Sequence, residues 1–129
     1  MSITIAISDG PLGPIPHWTT DGAGAILSFE GNVREREGDG VVSALDYQTY
    51  EPMAQTMLHR IASDLIERHG LLAMHIQHSR GRVGVGECSF RLLVAARHRK
   101  EALAAMDEFI DRLKRDVPIW KQPVWKLAN

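Results

Sequence analysis

The chain carries one cysteine, Cys88. A lone thiol cannot close an internal disulfide, so packing and hydrogen bonds must hold the fold, and a reducing compartment is the natural setting. Aromatic residues are scarce, at 6%. No apolar run approaches the ~20 residues that span a bilayer. The first residues, MSITIAISDG, lack the basic start and apolar stretch of a secretory signal. The expected setting is therefore the cytoplasm, away from any membrane. Neither sign of charge dominates. The 15 basic residues face 16 acidic ones, for a net charge of -1, so no long-range field draws in nucleic acid. An anion site, if there is one, must be local.

What is present is the material of a globular protein. Apolar residues make up 44% and charged residues 24% of the 129. That length predicts one domain, 1–129, able to bury roughly two thirds of its unfolded surface. Ser2–Ile7 alternates polar and apolar and predicts a strand. Asp9–Trp18, with three prolines and two glycines, predicts a loop. Gly24–Arg34 reads as a strand with Ala25, Leu27 and Phe29 on one face and a bulge at Gly31. Glu35–Gly40 reads as an exposed, mobile loop, and Val41–Tyr50 as a second strand.

Pro52 then opens a helix that Gly70 caps, with Met53, Met57, Leu58, Ile61 and Leu65 at helical spacing. Leu71–Ser79 predicts a strand, Gly81–Glu87 a turn and Cys88–Ala96 a nearly continuous apolar strand. A second helix follows over Arg99–Asp116, with Leu103, Met106, Phe109, Ile110 and Leu113 as its stripe. Pro118 ends it, and IWKQPVWKL is extended. The order predicts an α+β fold of antiparallel hairpins with two covering helices.

The unusual stretch is RLKRDVPIWKQPVWK, residues 112–126, basic and aromatic in a chain that is neither. Lys114 falls at the border of the second helix's stripe. There a lysine either lays its stem on apolar surface and complements the helix dipole, or aims its ammonium into a cleft. Lys121 lies seven residues on, beyond Pro118, where a turn could fold it back toward Lys114. Two ammonium groups held together become usable in proton transfer. Equally, Trp120 and Trp125 could form a cation–π face with the lysines, or Lys and Pro could guard an edge strand.

RHRK, residues 97–100, places His98 and Arg99 at a helix start that has no Ser, Thr, Asp or Asn cap. Either the end binds an anion such as a phosphate, or the cations splay into water with Glu101 compensating. Arg34 ends a strand and suits a bidentate phosphate or carboxylate contact, or a surface ion pair with its acidic neighbours. His75 and His78 are three apart on a strand and so face opposite ways, and no metal site is expected. His59 and His69 read as helix-surface residues, Cys88 as a small buried hydrophobe.

Taken in order, GAILSFEGNVR, the Tyr50–Met53 helix start, His78–Glu87, ARHR and LKRDVPIWK resemble the large, catalytic subunit of molybdopterin synthase, the MoaE family. The resemblance covers about residues 20–126. It implies an α+β fold of the α/β-hammerhead type and a sulfurtransferase. That enzyme converts cyclic pyranopterin monophosphate (precursor Z) into molybdopterin by building its dithiolene, and needs no cofactor. Sulfur arrives as a thiocarboxylate on the Gly-Gly tail of a small ubiquitin-like subunit. Two large subunits form the homodimer core of a heterotetramer. By resemblance Lys114 and Lys121 are the catalytic lysines, Arg34, His98 and Arg99 bind substrate, and Phe29 lies at the tail-binding surface. The family pattern continues beyond P-x-W-K through a tryptophan, whose candidate counterpart is Trp125, into a basic tail. An arginine of that tail has no counterpart in QPVWKLAN. A non-catalytic module that binds a ubiquitin-like partner's tail is the alternative, and a single-strand nucleic-acid binder using Lys and Trp is a third reading.

Overall fold

A computed structural model describes residues 2–127. Strands β1 (Ser2–Asp9), β2 (Ala25–Asn32), β3 (Arg36–Glu37) and β4 (Gly40–Thr49) precede helix α1 (Met53–His69). Strands β5 (Ala73–Gly84) and β6 (Cys88–Ala96), helix α2 (Arg99–Asp116) and strand β7 (Ile119–Trp125) follow. One sheet runs β2-β6-β5-β4-β3, with β1 added on β5 and β7 on β4. The architecture is α+β, as the element order predicts.

Both helices cover one face of the sheet. Leu58, Ile61 and Leu65 of α1 and Phe109 of α2 pack there against Met74, Ile76, Leu92 and Val94. Gly70 ends α1 in the left-handed conformation, φ 68°, its N–H bonded to the Ile66 carbonyl. The other face of β6 is buried too, which is why its apolar run is continuous. The segment between β1 and β2 crosses it: Leu12 N–H reaches the Cys88 carbonyl at 2.9 Å, and Trp18 packs edge-on to His75.

Several expectations need correction. The pairing is not wholly antiparallel, because β1 runs parallel to β5, sending Ile3, Ile5 and Ile7 into the helix-side core. The predicted turn at Gly81–Glu87 is shorter. β5 continues to Gly84 because it changes partners: it pairs with β6 through His78 and with β4 from Gly81, where φ is +84°. Glycine accommodates that switch without a Cβ clash. The loop at 35–40 contains the two-residue strand β3, which lets the chain reverse into β4. On α2 the fully buried residues are Ala102, Ala105 and Phe109, while Leu103 is 53% exposed. Met106, Ile110 and Leu113 of the expected stripe pack against the core beside Phe109, so Leu103 alone leaves it, and Ala102 and Ala105 face inward where the helix lies close. The expected bulge at Gly31 is present, as a register shift between Gly31 and Asn32.

Candidate active site

Helix α2 ends at Asp116, and Val117 N–H closes on the Leu113 carbonyl. Pro118 cannot extend the helix and releases the chain into β7. β7 pairs antiparallel with β4, setting Lys121 opposite Tyr47. This return brings Lys121 to the cavity that Lys114 already lines from the last turn of α2. The cavity holds about 460 Å³. Arg34 and Phe29 line it from β2 and the residues after it. Three cations therefore face one space: the expected pair Lys114 and Lys121 meets there, and Arg34 and Phe29 join it. β7 pairs on one side only and carries Pro123 and Lys121, so the edge-guard reading of these residues also holds.

The floor is aromatic and polar. His78 stacks edge-on to Tyr47, centroids 5.3 Å apart, and lies 5.8 Å from Phe90. Phe90 in turn lies 6.0 Å from Phe29 and is stacked on the buried Phe109. The site is thus anchored on the core. His78 Nδ1 lies 2.8 Å from the Ser79 carbonyl, so Nδ1 carries the proton and donates it. Burial pushes the His78 pKa below its ordinary value, more than that hydrogen bond restores, so the ring is neutral at pH 7. Tyr47 Oη and Ser89 Oγ are 2.9 Å apart, and Ser89 Oγ donates to the Gly31 carbonyl at 3.4 Å. Tyr47 is then the donor to Ser89. At the rim, Lys121 Nζ lies 3.2 Å from Glu37 Oε1.

His98 and Arg99 do not line this cavity. They are exposed at the opposite end of α2, ~22 Å along the axis from Lys114 at 1.5 Å per residue. His98 occupies the N-cap position with no side-chain cap. Trp120 lines the cavity, but Trp125 packs instead over Gly40, where any Cβ would overlap its ring. Sequence reasoning assigned no site role to Tyr47, Ser89 or Glu37, and weighed His78 only as a poor metal partner. A signal existed for His78: it shares strand parity with the core residues Met74 and Ile76. Among the described residues no group of three His, Cys, Asp or Glu gathers as metal ligands.

An α+β chain with three cations lining a cavity over an aromatic floor has the chemistry to receive an anionic ligand. The chain belongs to the MoaE protein family, whose model matches residues 14–116. It is 37% identical over 123 residues to the molybdopterin synthase catalytic subunit of Coccidioides immitis, covering 93% of this chain and 63% of that one. To the subunit of the same name from Bacillus subtilis it is 38% identical over 104 residues, covering 81% and 66%. The chain thus spans just under two thirds of these curated relatives. The crystal structure of molybdopterin synthase from Staphylococcus aureus matches with TM-score 0.80 and 29% identity, over 93% of this chain and 92% of that one. A complex of subunits 1 and 2 of molybdopterin-converting factor from Helicobacter pylori shares the fold, with TM-score 0.73.

Proposed function

We propose that this protein is the catalytic subunit of a molybdopterin synthase, working in the cytoplasm. One observation carries the reading: Lys114 from α2, Lys121 from β7, and Phe29 and Arg34 from β2 and the residues after it line a single cavity. The thiocarboxylated tail of a small ubiquitin-like subunit enters past Phe29, and precursor Z binds through its phosphate at Arg34. Lys114 neutralises the thiocarboxylate and then the developing oxyanion. Lys121 moves protons as ring carbon–oxygen bonds give way to carbon–sulfur bonds. Water then cleaves the acyl carbon–sulfur bond of each carrier–substrate thioester, so each carrier leaves as a carboxylate, and two carriers supply the two sulfurs of one dithiolene.

His98 and Arg99 are too far along α2 to serve the cavity of their own chain. They complete the phosphate site of a second copy, which is the role a homodimer core of a heterotetramer gives them. The test is reconstitution with thiocarboxylated small subunit and precursor Z, scored for molybdopterin. Wild type yields product, and Lys114→Ala loses it by about 100-fold or more, the scale of a lost oxyanion contact. Complex formation without product from wild type would instead identify a module that only binds the partner's tail.

A further inference from the structure

Among the described residues Glu37 is the single carboxylate lining the cavity, against Arg34, Lys114 and Lys121. Its oxygens lie 3.2 and 3.4 Å from Lys121 Nζ. Among the described residues no carboxylate is within salt-bridge distance of Arg34 or Lys114. The acid is delivered by a small separate device. β3 makes only the pairs Arg36↔Val41 and Glu37↔Gly40, closed by Val42 N–H to the Glu35 carbonyl at 2.8 Å. Gly38 turns the hairpin with φ +60°, and the Trp125 ring backs it at Gly40. None of these hydrogen bonds involves the Lys121 side chain, so the hairpin holds Glu37 over the cavity independently of the ion pair. A ligand anion reaching Lys121 would sit beside a like charge, which disfavours it unless the carboxylate yields.

We propose that Glu37 is the internal counter-ion of the site. It holds Lys121 while the cavity is empty and cedes that place to the ligand's anionic group, so it decides which anions the site admits. A small anion touching Lys121 alone must displace Glu37 for one new contact. A larger ligand also anchored at Arg34 or Lys114 gains contacts that Glu37 does not oppose. Glu37 acts through Lys121 and is a positioning residue. The proposal rests on reading the cavity as an anion site, but does not need the sulfur-transfer chemistry.

The probe is inorganic phosphate, titrated at low salt and followed by the backbone amide shifts of Gly40 and Lys121. Glu37→Gln should bind phosphate about fivefold more tightly than wild type, the scale of one half-exposed ion pair. Glu37→Asp, which keeps the charge, should stay within about twofold of wild type. In a Lys121→Met background, Glu37→Gln should either change affinity by less than about twofold or act on a site that no longer binds measurably, since the gain requires Lys121. Equal tightening in both backgrounds would overturn the proposal, leaving only a general field effect. No tightening in Glu37→Gln, or no phosphate binding by either wild type or Glu37→Gln, would overturn it as well. These arms read binding alone, so failure of the reconstitution leaves them interpretable and strikes only the proposed reaction.

Discussion

Replacing Arg91 with Met should destabilise the protein by about 2–4 kcal/mol. The Arg91 side chain is 3% exposed, yet every donor it uses is matched. Nε and Nη2 both donate to Glu30 Oε2, at 2.9 and 2.5 Å. Nη1 donates to Gln77 Oε1 and Nη2 to the Gly13 carbonyl, each at 2.8 Å. Four hydrogen bonds at about 1 kcal/mol each set the upper end. Methionine recovers some of that by filling the stem's volume. Glu30 is 41% exposed and can rehydrate, which keeps the loss below that of a wholly stranded charge. The contacts join β2, β5, β6 and the segment between β1 and β2, so the loss should be cooperative. Urea unfolding by circular dichroism measures it, and the melting temperature should fall by roughly 8–16 °C. Trp18 emission should shift in the folded variant, because the Gly13 tether holds the segment that packs Trp18 on His75. A loss under about 1 kcal/mol would refute the reasoning, since the cost of burying the guanidinium would then cancel its bonds.

Acid should act first through His78 and then through Glu51. His78 refuses in the fold a proton that the unfolded chain takes, so stability should begin to fall as pH drops below 6.5. Hydrogen bonds from Thr49, Arg80 and Gln55 hold Glu51 down to about 2. Its contribution is present above 4.5 and lost as pH falls from there toward 2, and Glu51→Gln should flatten the urea-midpoint profile over that window. Gly40→Ala should displace the Trp125 ring and lower the melting temperature, which tryptophan fluorescence and calorimetry would report together. Tyr47→Phe should cost about 1 kcal/mol in a denaturant titration, because Ser89 keeps its bond to Gly31.

Local signals made most elements legible. Gly70 and Pro118 punctuate the helices, and the alternation in β1 and the run in β6 read directly. The parallel placement of β1 was not legible, because strand pattern shows which residues face inward but not which neighbour lies beside them. Nor was the full inner face of α2, since Ala102 and Ala105 share it with Phe109 while the exposed Leu103 imitates a core residue. At the site, Lys114 and Lys121 drew notice by their setting around Pro118, and Phe29 and Arg34 by their strand end and by resemblance. Glu37 and Tyr47 carried no such mark. Each matters through a partner more than 40 residues away in sequence, Lys121 for one and Ser89 for the other.

The pairing of Tyr47 with Lys121 joins points more than half the chain apart. Such a contact must overcome a large loop-closure entropy, so it forms late on the folding route. Helix α1 and the β5–β6 hairpin can assemble from neighbouring segments, while the cavity has no second lysine until β7 docks on β4. Partly folded chains would therefore hold much of the core but an incomplete site, and an anion would meet all three cations of the cavity only on molecules that had finished folding.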